Sequence, residues 1–166
     1  MNAIDLKDRV AVVTGGARGI GQAIVNRFLK SGARCSIWDK DEAAAQEFVS
    51  QLDDPSRVEV QPVDLTSPES VAEAAQKTAA SMGSLDIAVN NAGIAGVSKK
   101  LWECSWQEWR EVIELDLMAV FYVCHAVTPL MLNKGYGRII NIASIAGKEG
   151  NPNASATDSG EVRSTG

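Results

Sequence analysis

The stretch "RVAVVTGGARGIGQAI" at residues 9–24 decides the fold of this chain. It begins as a run of β-branched residues, which favours a buried strand, and continues from Gly19 as a segment of helical period. The glycines of "TGGARGIG" (14–21) lie between the two. They would let the backbone come close to a pyrophosphate and direct a helix N-terminus at its charge. The stretch therefore predicts a phosphate-binding turn, and a flexible turn without a ligand is the alternative.

The same alternation of strand and helix continues along the chain. Strands are predicted at 9–15, 34–39, 58–64, 85–93 and 137–144, and helices at 19–30, 41–52, 67–82 and 106–133. This pattern is typical of βαβ units around a parallel sheet with right-handed crossovers. The sequence predicts a Rossmann-like, doubly wound α/β fold in three α/β/α layers. The expected strand order is 3-2-1-4-5, with the later strands of such a sheet missing.

Composition narrows the classes of protein that the chain can belong to. It has 166 residues, a net charge of −5 and 45% apolar residues, as expected for one soluble domain without a nucleic-acid footprint. Uninterrupted apolar runs such as "VAVV" (10–13) are too short to cross a membrane, and the N-terminus has no secretory pattern. The three cysteines match no metal or redox spacing and are interpreted as reduced, mostly buried thiols. These features predict a cytoplasmic protein.

An acidic residue follows the second predicted strand. Asp39 lies eighteen residues beyond Gly21, at the position where a carboxylate can accept hydrogen bonds from a ribose 2′-hydroxyl. A carboxylate there would repel a 2′-phosphate, which favours NAD over NADP. Arg18 and Lys40 lie beside the same site and would partly offset that repulsion.

Four ordered motifs resemble those of the short-chain dehydrogenase/reductase superfamily. They are T-G-x-x-x-G-x-G at 14–21, "DL" at 64–65, "NNAG" at 90–93 and "GRIINIAS" at 137–144. The resemblance extends over about residues 5–156. Within the superfamily, the sequence resembles oxoacyl-reductase-like and sugar-dehydrogenase-like members. It implies an NAD(P)-dependent oxidoreductase that interconverts a secondary alcohol and a ketone. It also implies the residues that contact the cofactor: Gly15, Arg18, Gly19, Ile20, Gly21, Asp39, Lys40, Asp64, Leu65, Asn91, Ala92 and Gly93.

The family's catalytic residues are only partly present. The resemblance implies that Ser144 hydrogen-bonds the substrate oxygen, that a tyrosine thirteen residues later transfers the proton, and that a lysine four residues beyond lowers the pKa of that tyrosine. Thr157 and Glu161 occupy those two positions, and the chain contains no Tyr-x-x-x-Lys pair. A threonine hydroxyl is a much weaker acid than a phenol, so turnover by these 166 residues is in question.

The family's helical asparagine, which holds a relay water, is replaced by Asp116. Asp116 is predicted to share a helix face with Trp109, Val112, Ile113, Val120 and Phe121. A carboxylate on an apolar stripe is costly unless it is paired. A site role and a structural, partner-satisfied acid are therefore both open.

Three hypotheses follow for the chain. It is the cofactor-binding part of an NAD-dependent oxidoreductase acting on a small alcohol or ketone, or a nucleotide-binding module without turnover. In the third, its exposed fifth strand and long helix associate with other subunits, since the resemblance implies a homotetramer. The expected domain is an incomplete NAD(P)-binding domain at 1–156. Residues 157–166 have almost no apolar side chains and are expected to be a disordered tail.

Overall fold

Five parallel strands form one sheet in the part of the chain that the computed structural model describes, residues 4–149 and 153–157. The sheet order is β3-β2-β1-β4-β5, which confirms the predicted order and the Rossmann-like class. The strands are β1 (Val10–Thr14), β2 (Arg34–Asp39), β3 (Val58–Pro62), β4 (Ile87–Asn90) and β5 (Arg138–Asn141). The helices are α1 (Gly19–Lys30), α2 (Glu42–Ser50), α3 (Pro68–Met82), α4 (Trp106–Ile113) and α5 (Ala119–Lys134).

Strand β1 lies at the centre of the sheet and is buried along its whole length. Its side chains alternate between two cores, as the two-residue period of a strand requires. Val12 packs with the helices α3 and α5 on one face. Ala11 and Val13 pack with α1 and α2 on the other. This arrangement produces the three layers that the sequence predicts, and it brings all the carboxyl ends of the strands to one edge of the sheet.

Capping residues define several helix starts. Ser67 accepts a hydrogen bond from the N–H of Ser70 at 3.2 Å, and Pro68 occupies the first turn of α3. Asp41 caps α2 by accepting from the N–H of Ala44 at 3.0 Å. Both helices begin one residue after the first predicted residue, at Pro68 and Glu42, because Ser67 and Asp41 are the N-caps.

The predicted single helix over 106–133 is interrupted. Glu114–Met118 form a π-helical turn between α4 and α5. The extra residue of a π turn rotates the following positions around the helix axis. Phe121 is 57% exposed, so the predicted face that joined it to Asp116 is wrong for this residue. Asp116 instead lies on the buried side, and the other buried residues of this side are Val112, Ala119, Val123, Val127 and Met131.

The segment Trp106–Lys134 is long and apolar enough to cross a membrane, by length and composition alone. It has 29 residues and a mean hydropathy of 1.7 over its most apolar window, of which 28% is buried. The sequence predicted no membrane-spanning segment because only its uninterrupted apolar runs were considered. The prediction therefore missed this helix, whose apolar residues are interrupted by scattered polar ones. The buried side of α5 packs in the same core as Val12 and Ala88, as the core helix of an α/β domain does.

One of the three cysteines is buried in the folded chain. Cys35 is buried, whereas Cys104 and Cys124 are partly exposed, so the expectation of mostly buried thiols is wrong. Both partly exposed cysteines lie outside the sheet, before α4 and within α5. Residues 158–166, which include Glu161 and most of the expected tail, lie outside the described residues.

Candidate functional site

The glycine-rich turn between β1 and α1 has little room for side chains. Gly15 and Gly19 have positive φ angles of 61° and 55°, which disfavour residues with a Cβ. A Cβ on Gly21 would lie 2.1 Å from the carbonyl oxygen of Gly15 and 2.7 Å from the Asn91 amide nitrogen. The turn therefore requires glycine at these positions. Arg18, at the N-cap of α1, makes no side-chain capping bond, as expected of a helix start that faces an anion.

Thr14 ties this turn to the turn after β4. Its hydroxyl oxygen accepts from the N–H groups of Asn91 and Ala92 at 2.9 and 3.0 Å, and donates to the carbonyl of Val89 at 3.3 Å. The Asn91 amide returns the contact by donating to the carbonyls of Thr14 and Gly15 at 3.0 and 3.2 Å. The two predicted cofactor turns are therefore held together as one rigid unit.

Asp39 lies at the carboxyl end of β2, beside the glycine-rich turn. One oxygen of its carboxylate accepts from the N–H of Ala17 at 3.1 Å, and the other accepts from the N–H of Asp41 at 3.0 Å. Each carboxylate oxygen has a further lone pair for a ligand hydroxyl. The side chain is thus fixed in place before any ligand arrives.

Asp64 and Leu65 follow β3 at the same edge of the sheet. Hydrogen bonds from the Thr66 hydroxyl (2.7 Å) and backbone N–H (2.9 Å) lower the pKa of Asp64, and the charge of Lys40 contributes further. Asp64 is exposed and ionised at neutral pH, whereas Leu65 is buried. The loop therefore presents the fixed carboxylate of Asp64 next to the apolar side chain of Leu65.

These segments enclose one cleft of about 580 Å³ at the carboxyl edge of the sheet. Such a volume is within the range of small-molecule and cofactor sites. Eight of the predicted cofactor residues line the cleft: Gly15, Asp39, Lys40, Asp64, Leu65, Asn91, Ala92 and Gly93. The other four, Arg18, Gly19, Ile20 and Gly21, form the start of α1 beside it, and Ile20 is 66% exposed.

Asp116 is buried behind the turn after β4. Its Oδ1 accepts from the N–H of Ile94 at 2.9 Å, and a Cβ built on Gly93 would lie 3.2 Å from the same oxygen. Asp116 is part of the π turn, and its carboxylate contacts the loop that lines the cleft. Pairing with backbone N–H groups is how proteins accommodate a buried acid.

Ser144 lies beyond β5, at the same edge of the sheet, and its side chain is exposed. Its hydroxyl oxygen accepts from the N–H of Ala146 at 3.2 Å, which caps the short helical turn Ile145–Gly147. Thr157 donates a hydrogen bond to the carbonyl of Ala95, in the loop after β4. Ser144 and Thr157 are not among the residues that line the cleft.

Several residues of the site were not predicted from the sequence. Trp38, Thr66, Ile94 and Leu115 line the cleft, and Thr14 and Asp41 fix its turns. Asn90 was quoted within "NNAG", but its role was not recognised. Its amide donates to Asn141 at 2.9 Å, while its carbonyl oxygen is buried without a partner among the described residues. Their positions next to the motifs could have identified these residues, because the residues that follow the strands meet at one edge of the sheet in this fold.

Comparison with known proteins agrees with this architecture. Residues 9–157 match the family described as short chain dehydrogenase. The chain is 40% identical over 148 residues to the 2-dehydro-3-deoxy-L-rhamnonate dehydrogenase (NAD(+)) of Sphingomonas sp. (strain SKA58). It is 39% identical over 154 residues to the 3-oxoacyl-[acyl-carrier-protein] reductase FabG of Chlamydia muridarum (strain MoPn / Nigg). These alignments cover 89% and 92% of this chain.

A solved structure supports the same grouping. The crystal structure of NAD+-bound xylitol dehydrogenase has a TM-score of 0.91 and 26% identity, over 95% of this chain and 61% of that one. The chain spans 58% and 61% of the lengths of the two relatives above. This chain belongs to the short-chain dehydrogenase family, and its family members are oxidoreductases.

Proposed function

We propose that this chain binds NAD in the cleft at the carboxyl edge of the sheet, as part of an oxidoreductase that interconverts a secondary alcohol and a ketone. The observation that carries the proposal is the turn around Gly21, where a Cβ would lie 2.1 Å from the Gly15 carbonyl. A turn this tight leaves the backbone N–H groups and the start of α1 accessible to a pyrophosphate.

The residues present fit a dinucleotide along the cleft. The glycine-rich turn and α1 would hold the pyrophosphate, and Asp39 would accept hydrogen bonds from the adenosine ribose. Asp64 and Leu65 would contact the adenine, with Asn91–Gly93 beneath the rest of the cofactor. When bound, the nicotinamide group supplies the hydride acceptor or donor.

The preference for NAD rests on the charge around the ribose. Asp39 accepts a hydrogen bond from Ala17 of the glycine-rich turn, and a 2′-phosphate would bring about −1.5 to −2 charges beside it. The names of two similar proteins, the rhamnonate dehydrogenase and the xylitol dehydrogenase, also include NAD. NADP is the less favoured cofactor in this proposal.

The substrate side of the site is formed by Ser144 and Asp116. Ser144 would hydrogen-bond the substrate oxygen, and Asp116 would hold the Gly93–Ile94 turn and the proton-relay region in place. Asp116 accepts from the N–H of Ile94 at 2.9 Å, which supports a positioning role. In this proposal the NAD(P)-binding domain extends over residues 1–156.

A second candidate function is nucleotide binding without turnover, and the position of Thr157 favours it. Its hydroxyl donates to the carbonyl of Ala95. A threonine hydroxyl at this position cannot act as a phenol does, because its acidity is many orders of magnitude lower. The 166 residues contain no Tyr-x-x-x-Lys pair to take over the proton transfer.

Calorimetric titration of the 166-residue chain with NAD and with NADP tests the binding proposal. Binding of NAD in the micromolar to sub-millimolar range, tighter than that of NADP, is expected. A folded chain that binds neither dinucleotide would refute it. Dehydrogenase assays with several secondary alcohols then separate the two candidates. Binding of NAD without formation of NADH would support nucleotide binding without turnover.

The proposal also covers the localisation of the protein and its partners. We expect a cytoplasmic protein with a small alcohol or ketone as its partner, and without nucleic-acid or membrane binding. Association with other subunits of the same family, as a homotetramer, would use the exposed side of α5, where Phe121 and Leu132 are 57% and 74% exposed. Size measurement of the chain alone and mixed with a full-length family member tests this, and separate species throughout would refute it.

A further inference from the structure

An ion pair joins the starts of two helices beside the ribose end of the cleft. Arg18 Nη2 lies 2.7 Å from Asp41 Oδ2. Arg18 is the N-cap of α1, and Asp41 is the N-cap of α2. The Arg18 side chain is 73% exposed, and that of Asp41 is 38% exposed. Both residues are therefore accessible to a ligand that extends beyond Asp39.

Asp41 is held in this position by contacts at three points. Its N–H donates to Asp39 Oδ1 at 3.0 Å, so the two acids share one turn. Its Oδ1 accepts from the N–H of Ala44 at 3.0 Å, and its Oδ2 accepts from Arg18. One carboxylate oxygen caps the helix and the other binds the guanidinium. The ion pair is thus built on an ordered turn.

The pair affects how the cleft treats a 2′-phosphate. Arginine is well suited to bind phosphate, because its planar group donates two parallel hydrogen bonds. Arg18 is the arginine of the glycine-rich turn, and its guanidinium is already bound to Asp41. Lys40 also lines the cleft, where its charge contributes to the low pKa of Asp64. Arg18 and Lys40, the two cations considered beside the ribose end, therefore each act on a nearby acid.

We propose that Asp41 is a second determinant of cofactor choice, which keeps Arg18 from a 2′-phosphate and so acts with Asp39 to favour NAD. The inference rests on the proposed binding of a dinucleotide in this cleft. Asp39 acts directly on the ribose, whereas Asp41 acts through Arg18.

The substitution Asp41→Asn tests the role of the charge and preserves the helix cap. Asparagine caps helices about as well as aspartate, so α2 is expected to remain folded. The variant is titrated calorimetrically with NAD and NADP, and compared with the unaltered chain. We expect NADP to bind about three- to tenfold more tightly, since an exposed ion pair is weak but the phosphate carries nearly two charges. The Kd for NAD should change less than that for NADP, because NAD has no 2′-phosphate for Arg18 to bind, so the ratio of the two Kd values is the quantity to compare.

Two further variants test whether the change in NADP affinity depends on Arg18 and on the position of the removed charge. In the double variant Arg18→Ala with Asp41→Asn, most of the gain in NADP affinity should disappear, because the arginine is needed to bind the phosphate. Asp54→Asn is the matched control. Asp54 is also an N-cap, of the short turn Pro55–Arg57, but it precedes β3 at the opposite edge of the sheet. It removes the same charge and should leave the NADP to NAD ratio unchanged.

The outcomes separate this inference from the proposed function. An unchanged ratio of the two Kd values in Asp41→Asn, with NAD still bound, would overturn the role of Asp41 alone. A gain that persists without Arg18, or an equal gain in Asp54→Asn, would also overturn it. Failure of the folded, unaltered chain to bind either dinucleotide would refute the proposed function and this inference together.

Discussion

At the scale of single residues, acidic side chains hold the backbone around the cleft and, through Asp86, at the amino end of the sheet. Each of four aspartates accepts at least one backbone N–H from a residue outside its own strand or helix. The pairs are Asp39 with Ala17 and Asp41, Asp64 with Thr66, Asp86 with Val10, and Asp116 with Ile94. A hydrogen bond to a charged group stabilises more than a neutral one. Asp39, Asp64 and Asp116 therefore fix turns at the cleft, and Asp86 fixes the start of β1.

Replacing Asp39 by alanine should weaken NAD binding. The carboxylate would no longer accept from the ribose, and the N–H groups of Ala17 and Asp41 would lose their acceptor. Hydrogen bonds to charged groups contribute about 1.5–3 kcal/mol, so we expect a loss of about tenfold or more in calorimetric Kd. Asp54→Ala is the control, since it removes an acid away from the cleft. Equal affinity of the Asp39 variant and the unaltered chain would contradict the assignment.

Asp86 joins α5 to the amino end of the sheet. Its side chain is fully buried and lies 2.9 Å from Lys134 Nζ, and it accepts from Val10 N–H at 2.9 Å and the Ser84 hydroxyl at 2.8 Å. Burial alone would raise the pKa of Asp86. The hydrogen bonds from Lys134, Val10 and Ser84 outweigh it and hold the pKa below the ordinary value.

This lowered pKa gives a pH dependence of stability. The unfolded state binds a proton more readily than the folded one, so the stabilisation is complete above the unfolded pKa of about 3.9 and is lost as the pH falls through the folded value. Lys134→Ala should lower the free energy of unfolding at pH 7 by about 1–2 kcal/mol and move the acid-induced loss to higher pH. Urea unfolding between pH 3 and 7 measures both. Lys77→Ala, at an exposed position of α3, should change neither.

At the scale of elements, the start of α4 is stabilised by a reciprocal cap. The Ser105 hydroxyl accepts from the N–H of Glu108 at 3.2 Å, and the Glu108 carboxylate accepts from the N–H of Ser105 at 2.8 Å. A hydrogen bond from Lys99, together with those from Ser105, lowers the pKa of Glu108 to about 2. The cap therefore links the helix to the loop that follows β4.

Ser105→Ala should remove one half of this cap. The expected loss is about 0.5–2 kcal/mol in the free energy of unfolding, measured in urea, because a helix N–H loses its acceptor. Ser105→Thr keeps the hydroxyl and should lose much less. Equal losses in the two variants would show that the hydroxyl does not stabilise the helix.

At the scale of the whole molecule, β5 forms an edge of the sheet within the described residues. It pairs with β4 alone, and Ile139, Ile140 and Ile142 are 39%, 40% and 38% exposed. An unpaired, apolar edge strand is a template for association with another chain. The isolated chain is therefore expected to self-associate.

Placing a charge on this edge tests the expectation. Ile140→Lys should shift the sedimentation profile towards the monomer at a given concentration, since a charged edge residue opposes strand pairing. Ile4→Lys changes another exposed isoleucine, which precedes β1, and should leave the profile unchanged. A profile that is monomeric for the unaltered chain at high concentration would contradict the prediction.

The sequence predicted the fold well because the signals for it are local. The β-branched run at 10–13, the glycines of 14–21 and the Ser67–Pro68 pair each act on neighbouring backbone, so short-range patterns were enough for the order of strands and helices. The bounds of β2 were confirmed, whereas the carboxyl ends of the other four strands were predicted one to three residues too long, because strands give way to polar turns gradually. The candidate site residues around the cleft came from the motifs and the resemblance that they carry.

The sequence by itself thus determined the class of fold, the glycine-rich turn and the absence of a Tyr-x-x-x-Lys pair from these 166 residues. Only the tertiary structure decided the π turn that buries Asp116, the Thr14–Asn91 contact and the pairing of Arg18 with Asp41. The physical reason is distance along the chain. Thr14 and Asn91 lie 77 residues apart, and Arg18 and Asp41 lie 23 residues apart. Their contacts depend on how the strands bring loop ends together, which no local pattern records.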